Sequence, residues 1–264
     1  MNIAIVGATG NVGRKTLEVL ERKGLPIDDL YLVASSKSAG KKIHFQGKDI
    51  VVSELENFNF SKVKIAFFAA GGKISEKFAE KAAKHCLVID NSSFFRMDPD
   101  VPLIVPQVNS NALNDIKKNI IANPNCSTAQ LVIALKPLHD LFVIKRVVVS
   151  TYQSVSGAGK AAMDELIKQT KLTLDGKDIK PENFTKQIAF NAIPHIDVFS
   201  DDGYTKEELK MSNETKKILD ERIDLTATCV RLPISVSHSE SVNVQFEKNF
   251  SLEQIKEALN SFDG

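Results

Sequence analysis

Cys126 is the residue of this sequence best suited to act as a nucleophile. It stands in the run Asn123-Pro124-Asn125-Cys126-Ser127-Thr128-Ala129, where turn-forming residues give way to a helical pattern over residues 129–138. A thiol at a helix N-terminus meets the positive end of the helix dipole and free N–H groups, which favour the thiolate. The position therefore predicts a thiol pKa below the ordinary value of about 8.5. The alternative is a small buried apolar residue, the usual state of a free cysteine.

The other two cysteines have the surroundings of interior residues. Cys86 and Cys229 lie in the apolar segments 85–89 and 226–230, which have the pattern of buried strands. Three cysteines without CxxC spacing or a His/Cys cluster indicate neither a disulfide framework nor a zinc site. No metal is therefore expected.

A glycine-rich run suits the phosphates of a dinucleotide. Gly7-Ala8-Thr9-Gly10-Asn11-Val12-Gly13 directly follows an apolar run and opens a helical pattern. In that context glycines allow a tight turn and a close backbone approach to a pyrophosphate, whose charge meets the N–H groups of the helix N-terminus. An ordinary strand-to-helix loop is the alternative.

The end of the second predicted strand favours NADP over NAD. An NAD site normally has an acidic residue there that binds the ribose 2′-OH. This sequence has Ser35-Ser36-Lys37-Ser38-Ala39-Gly40 instead. Hydroxyls, amides and an ammonium suit a 2′-phosphate that a carboxylate would repel. A serine-rich surface loop is the alternative.

Glu207 and Lys210 are three residues apart, so a helix would place both on one face. The same spacing suits a solvated ion pair, and the spacing alone does not distinguish the two. Arg96, Arg231 and His238 have equally ordinary alternatives as exposed or structural side chains.

The hydrophobic pattern predicts an α/β protein of two domains. With 264 residues and 43% hydrophobic content, the chain can bury one large core or two smaller ones. Short apolar runs alternate with amphipathic stretches up to about residue 120, which is typical of a parallel sheet. The expected strands cover 3–6, 30–34, 64–69, 87–90 and 120–122, with helices over 11–23 and 74–84. Longer β-branched runs over 144–152, 225–232 and 238–247 predict a second, α+β domain with a mixed or antiparallel sheet.

Composition restricts the class of partner. Thirty-four basic and thirty-three acidic residues give a formal charge of +1, which provides no field of one sign for nucleic acid or an anionic membrane. The N-terminus lacks the features of a signal peptide, and no apolar run is long enough to span a membrane. We expect a cytoplasmic protein with a small-molecule substrate.

Several motifs in one order resemble those of aspartate-semialdehyde dehydrogenases. They are Gly7 to Gly13, Ser92-Ser93-Phe94-Phe95-Arg96-Met97, Asn123 to Thr128, Gln153-Ser154-Val155-Ser156-Gly157-Ala158-Gly159, Glu207-Glu208-Leu209-Lys210-Met211, Arg231-Leu232-Pro233 and His238-Ser239-Glu240. The resemblance implies a Rossmann-type NADP-binding domain over residues 1–123 and a catalytic and dimerisation domain over 124–264. It also implies that L-aspartyl 4-phosphate is reduced by NADPH to L-aspartate 4-semialdehyde with release of inorganic phosphate, in the biosynthesis of lysine or diaminopimelate, threonine and methionine.

The same resemblance implies a role for each site residue. Cys126 would form a thioester, His238 would move protons and Gln153 would orient the acyl group. Substrate would be bound by Arg231, Glu207, Arg96, Lys210 and Asn125, with Arg231 on the α-carboxylate, Glu207 on the ammonium, and Arg96 and Lys210 on the phosphate. The cofactor would be bound by Gly7, Thr9, Gly10, Asn11, Val12, Gly13, Ser35, Ser36, Ser38, Ser156 and Gly157.

The resemblance also sets expectations for the whole protein. Members of the family are homodimers, and they continue for several tens of residues past the position of Gly264, so the chain is expected to lack a C-terminal segment. Two alternatives stay open: an N-acetyl-γ-glutamyl-phosphate reductase, and a catalytically silent NADP-binding or assembly module.

Overall fold

The structure is a computed structural model that describes the whole chain, Met1–Gly264. The chain folds into two compact units. The first comprises residues 1–104 and 110–124, and the second comprises residues 105–109 and 125–264. The assignment of cofactor binding to residues 1–123 and of catalysis and dimerisation to residues 124–264 stays a prediction.

The chain forms eleven strands and seven α-helices, numbered here in chain order. The strands are β1 Ile3–Val6, β2 Leu30–Ala34, β3 Lys42–Phe45, β4 Lys48–Val51, β5 Ser53–Glu54, β6 Ile65–Phe68, β7 Leu87–Asp90, β8 Ile120–Ala122, β9 Ile144–Gln153, β10 Asp224–Arg231 and β11 His238–Phe246. The helices are α1 Asn11–Lys23, α2 Gly72–Ala83, α3 Pro106–Asn109, α4 Cys126–Phe142, α5 Lys160–Leu174, α6 Lys206–Ile218 and α7 Leu252–Ser261. None of the helices is long and apolar enough to cross a membrane.

The first unit is built on a six-stranded sheet in the order β5-β2-β1-β6-β7-β8. All neighbouring strands in it are parallel, which confirms the predicted parallel α/β fold. The central strand β1 is buried along its whole length, because a parallel sheet is covered on both faces. This double burial is why its strands appear in the sequence as continuous apolar runs.

Local details of the first unit differ from the predictions. Cys86 is buried but lies in the turn before β7 rather than within a strand, and α2 begins at Gly72 rather than at residue 74. The hairpin of β3 and β4 was not predicted. Its turn residues Gln46 and Gly47 have φ of 45° and 78°, the conformation of a two-residue hairpin turn.

The second unit contains a three-stranded sheet in the order β10-β9-β11. β10 is parallel to β9 and β11 is antiparallel to it, which confirms the predicted mixed sheet. One face of the sheet packs against α4 and α6 through a core that includes Val147, Val149, Leu131 and Met211. The opposite face carries Val148, Ser150, Tyr152 and their neighbours, which are partly or fully exposed.

The ends of β9, β10 and β11 bring three predicted site residues into one row. Gln153 is paired with Arg231 on one side and with His238 on the other. Because side chains alternate along each strand, a shared row lets residues from distant parts of the chain project to the same face. The mixed topology therefore positions these side chains.

A long irregular segment, residues 175–205, connects α5 to α6. The buried Gln169 and Glu165 on α5 hold part of it. Gln169 Oε1 accepts hydrogen bonds from the N–H groups of Ile188 and Ala189, and Glu165 accepts from those of Glu182 and Asn183. Helix α6 then begins with a capping box between Thr205 and Glu208.

Candidate active site

The glycine run forms a tight turn between β1 and α1 in the first unit. Gly7 has φ of 88°, a left-handed conformation that favours glycine, and its N–H donates to Val33 O at 2.8 Å. At Gly13 a Cβ atom would lie 2.3 Å from Gly7 O, so only glycine fits there. No acidic side chain lies in the first turn of α1, so its N–H groups face no competing negative charge. The turn fits a dinucleotide pyrophosphate.

The serine loop after β2 lies beside this turn. Thr9 Oγ1 is 3.4 Å from Ser38 Oγ, so two of the predicted cofactor residues are in contact. Ser35, Ser36 and Lys37 are exposed, and their hydroxyl and ammonium groups are available to an anion. The predicted preference for NADP over NAD stays a prediction.

The loop after β6 was missed in the sequence and belongs to the same edge of the sheet. A Cβ atom at Gly7 would lie 2.6 Å from Ala69 O, which shows how closely the two loops pack. The run Ala69-Ala70-Gly71-Gly72 follows the buried strand β6 and leads into α2. The same order of strand, glycines and helix occurs at Gly7. This repeat could have identified the loop.

Cys126 is the first residue of α4 and is exposed. Asn125 is the N-cap residue, and its Oδ1 accepts a hydrogen bond from Ser127 N at 2.9 Å. The sulfur is 3.9 Å from the same oxygen. The interior-residue alternative therefore does not apply to Cys126, whereas Cys86 and Cys229 are buried and burial raises the pKa of their thiols to about 11 and about 12.

The predicted low pKa of Cys126 is wrong for this structure. Desolvation by the surrounding protein raises the pKa above its ordinary value, and the negative charge of Glu207 raises it further. The N–H of Ser127 and the guanidinium of Arg231 act in the opposite direction but do not outweigh these effects. The helix N-terminus alone therefore does not lower the pKa of this thiol.

The row at the end of the sheet places Arg231, Gln153 and His238 side by side. Arg231 and Gln153 are buried, with exposed fractions of 7% and 1%. Arg231 Nη1 donates to Ser154 O at 2.6 Å. Gly157 lies against both outer residues, since a Cβ atom there would be 3.3 Å from Arg231 Nη1 and 3.7 Å from His238 Nε2.

The His238 ring is held through Nδ1. This atom lies 2.8 Å from Ser237 O and 3.1 Å from Ser154 N. In one tautomer Nδ1 carries the proton and donates it to Ser237 O, so Nε2 is free to accept a proton. In the other tautomer Nδ1 accepts from Ser154 N, and Nε2 carries the proton. Burial lowers the pKa of His238 below its ordinary value, and the charge of Arg231 acts in the same direction, against the opposing hydrogen bond to Ser237.

Glu207, Lys210 and Asn125 form a connected cluster. Glu207 Oε2 lies 3.1 Å from Lys210 Nζ, and Glu207 Oε1 accepts from Asn125 Nδ2 at 2.9 Å. Glu207 is 6% exposed, so the solvated ion pair considered from the sequence does not describe it. The cluster links α6 to the residue that precedes the thiol.

Glu214 and Asp197 join this cluster and were missed in the sequence. Glu214 is 1% exposed and its Oε2 accepts from Asn125 N at 2.6 Å. Glu214 lies seven residues after Glu207, two turns along the same face of α6, which was the available clue. Asp197 Oδ2 lies 2.8 Å from Lys210 Nζ, and no sequence spacing indicated that contact.

Arg96 lies in the first unit and is 8% exposed. Its Nε donates to Asn123 O at 3.0 Å and its Nη2 to Asn91 O at 3.2 Å. These bonds fix the guanidinium against the segment that leads to Cys126. Its role in phosphate binding stays a prediction.

Ser156 lies on the same 3-10 turn as Gly157, Val155–Ala158, and its Oγ is 2.9 Å from Ser154 Oγ. Its predicted cofactor contact stays a prediction. No group of three or more His, Cys, Asp or Glu side chains is arranged to hold a metal ion.

Comparisons with known proteins cover almost the whole chain. Residues 2–116 match the family described as semialdehyde dehydrogenase, NAD binding domain, and residues 135–264 match semialdehyde dehydrogenase, dimerisation domain. An aspartate-semialdehyde dehydrogenase of Aquifex aeolicus is 55% identical over 99% of this chain and 78% of that protein.

Solved structures extend the likeness to the fold. Aspartate semialdehyde dehydrogenase II from Vibrio cholerae, complexed with ASA, is 50% identical and covers 100% of this chain and 79% of its own, with a TM-score of 0.98. The aspartate semialdehyde dehydrogenase with NADP from Candida albicans is 28% identical and covers 98% of this chain and 76% of its own, with a TM-score of 0.73. The chain belongs to the aspartate-semialdehyde dehydrogenase family.

Proposed function

We propose that the chain catalyses the NADPH-dependent reductive dephosphorylation of L-aspartyl 4-phosphate to L-aspartate 4-semialdehyde. The observation that carries this proposal is the cluster in the second unit, where Asn125 lies beside the exposed thiol of Cys126 and donates to the buried carboxylate of Glu207. The aldehyde would supply the biosynthesis of lysine or diaminopimelate, threonine and methionine.

Cys126 is the nucleophile of the first step. Because its pKa is raised, the thiol needs a base, and His238 takes its proton in the acid/base role that the family resemblance implies. The sulfur attacks the acyl carbon, a C–S bond forms, and the bond from carbon to the phosphate oxygen breaks. Arg96 and Lys210 stabilise the departing phosphate by their positive charge.

The second step reduces the thioester. The chemistry supplied by bound NADPH is a hydride delivered to the thioester carbonyl. Gln153 orients this carbonyl, and the collapse of the tetrahedral species expels the Cys126 thiolate. The proton held by His238 then returns to the sulfur, which completes the cycle without net change in either residue.

The substrate is recognised by its two charged ends. The planar guanidinium of Arg231 suits a bidentate pair with the α-carboxylate, and Glu207 suits the ammonium. Asn125 lies between the thiol and Glu207 and contributes its side-chain amide. Burial of Arg231 and Glu207 supports this role, because buried charges need partners.

The cofactor preference for NADP rests on the first unit. The exposed hydroxyls of Ser35 and Ser36, and Ser38 beside Thr9, provide donors for a 2′-phosphate. Gly10, Asn11, Val12 and Gly13 would hold the pyrophosphate at the start of α1. Ser156 and Gly157 would contact the nicotinamide, as the family resemblance implies. NADP in the structure of the Candida albicans relative is consistent with this preference.

A second proposal is a homodimer formed through the second unit, part of which matches the dimerisation family. The outer face of its sheet carries small and β-branched side chains around the exposed Tyr152. Such a face has room for close contact with a second copy, and tyrosine is enriched in protein interfaces.

The test of the catalytic proposal is the phosphate-dependent oxidation of aspartate semialdehyde by NADP. We expect Cys126→Ala to reduce turnover by on the order of 10⁴-fold or more while NADPH binding, followed by fluorescence, is retained. Cys86→Ala is the matched control and retains turnover. Wild-type-like turnover in Cys126→Ala would refute the thioester.

The same assay separates the alternatives. A preference for N-acetyl-γ-glutamyl phosphate over aspartyl phosphate, measured in the reductive direction, would indicate the other reductase. A wild-type chain that binds NADPH but has no turnover on either substrate would indicate a silent binding module.

A further inference from the structure

Asp197 has two separate contacts in the second unit. Its Oδ1 accepts from Val198 N at 2.9 Å, and its Oδ2 accepts from Lys210 Nζ at 2.8 Å. Its backbone has φ of 69°, a left-handed conformation that aspartate and asparagine adopt more readily than most residues. The side chain is thereby directed from the irregular segment towards α6.

Lys210 is shared between two carboxylates. Its ammonium has three N–H groups, of which one donates to Asp197 and one to Glu207. Burial alone would lower the pKa of Lys210, but Glu207 and Asp197 outweigh burial and raise it, so the ammonium stays charged. The third N–H is left for an anion.

Both carboxylate oxygens of Glu207 accept hydrogen bonds from neighbouring side chains. Oε1 accepts from Asn125 Nδ2 and Oε2 accepts from Lys210 Nζ. A substrate ammonium that binds Glu207 would bring a second cation to a carboxylate that already compensates the charge of Lys210. A second carboxylate on Lys210 offsets this additional positive charge.

We propose that Asp197 is a positioning residue that holds Lys210 Nζ and compensates its charge when Glu207 also binds the substrate ammonium. This inference rests on the proposed function, in which Glu207 binds the ammonium and Lys210 the phosphate. In this role Asp197 acts through its contact with Lys210. Asp197 thereby allows Glu207 to bind the substrate ammonium while Lys210 stays in place for the phosphate.

The test compares Asp197→Asn with the wild type in the phosphate-dependent oxidation of aspartate semialdehyde. Asparagine keeps the left-handed backbone and the acceptor for Val198 N but removes the negative charge facing Lys210. Asp197→Gly, which also fits a φ of 69°, is the second variant. Asp202→Asn is the matched control, because Asp202 lies in the same segment and contacts Ser200 and Tyr204 rather than Lys210.

We expect both Asp197 variants to raise the KM for phosphate and for aspartate semialdehyde about tenfold, the loss typical of one charge-assisted hydrogen bond. The KM for NADP should stay within about twofold, and Asp202→Asn should match the wild type. In a Lys210→Met background, Asp197→Asn should add no further change. A purely structural role predicts instead that kcat falls and that the KM values for phosphate, aspartate semialdehyde and NADP all rise together.

Two outcomes separate failure of the inference from failure of the proposed function. If Lys210→Met raises the KM for phosphate but both Asp197 variants leave it within twofold, the positioning role of Asp197 is wrong. If Lys210→Met itself leaves the KM for phosphate unchanged, the proposed role of Lys210 is wrong and the inference about Asp197 falls with it.

Discussion

One anionic and one cationic side chain act on the pKa of the Cys126 thiol in opposite directions. Glu207 raises the pKa of the thiol and Arg231 lowers it. Substrate binding as proposed would give both residues new partners, an ammonium for Glu207 and a carboxylate for Arg231. The reactivity of the sulfur therefore depends on side chains that the sequence places 81 and 105 residues away.

Alkylation of Cys126 by iodoacetamide measures this balance. Only the thiolate reacts, so the rate rises with pH through the thiol pKa. Glu207→Gln removes a neighbouring negative charge, which lowers that pKa, and the variant should react faster than the wild type at pH 7 to 8. Cys126→Ala identifies the background from other thiols, and Glu257→Gln, an exposed glutamate of α7, should match the wild type. A slower or unchanged rate in Glu207→Gln would contradict the assigned coupling.

The sequence predicted the position of Cys126 in the fold better than its ionisation. A cysteine between Asn125 and a helical pattern indicated the helix N-terminus, and the structure has α4 start at that residue. Desolvation and the charge of Glu207 are tertiary effects, so the local pattern could not give the sign of the pKa shift. The ion pair of Glu207 and Lys210 was predictable because it lies within one helix turn, whereas Asp197 reaches Lys210 across an irregular segment.

At the scale of elements, strands buried on both faces were the most predictable. β1, β2, β7 and β8 match the expected ranges because burial requires continuous apolar residues. The hairpin of β3 and β4 was missed because its strands are mostly polar and exposed. Helices α5 and α7 were also not predicted, and the row of Arg231, Gln153 and His238 depends on strand pairings between residues far apart in the chain.

The glycine turn gives a prediction that separates packing from binding. Gly13→Ala would place a Cβ atom 2.3 Å from Gly7 O, whereas Gly10→Ala would place one at 3.4 Å, near ordinary contact. We expect Gly13→Ala to destabilise the chain by about 1–3 kcal/mol, the usual effect of overpacking, and to weaken NADPH binding.

Gly10→Ala is the matched control for stability. It should leave the free energy of unfolding, measured with urea, close to that of the wild type. If Gly10→Ala lowers the affinity for NADPH without lowering stability, residue 10 contacts the cofactor directly. Equal stability of the two variants would show that the turn tolerates a side chain at position 13.

At the scale of the whole molecule, the open face of the second sheet is the proposed contact between two copies. Ser150 lies in the middle strand, and its side chain belongs to the outer face. Ser150→Arg should convert a dimer of about twice the chain mass of 29.1 kDa into a monomer in analytical ultracentrifugation, because an unpaired charge buried in the contact between two copies is costly. The charge-matched Asn260→Arg, on the exposed side of α7, should remain a dimer. A monomeric wild type, or a dimeric Ser150→Arg, would exclude this face.

The shared row of Gln153, Arg231 and His238 restricts which changes in chain length evolution can accept. Loss or gain of a single residue within β9 would rotate Gln153 to the outer face, while its two partners kept their orientation. Amino-acid exchanges along the strand leave that alignment intact. Insertions and deletions should therefore be absent from β9 among functional descendants and should accumulate instead in surface loops, where added length leaves the strand register unchanged.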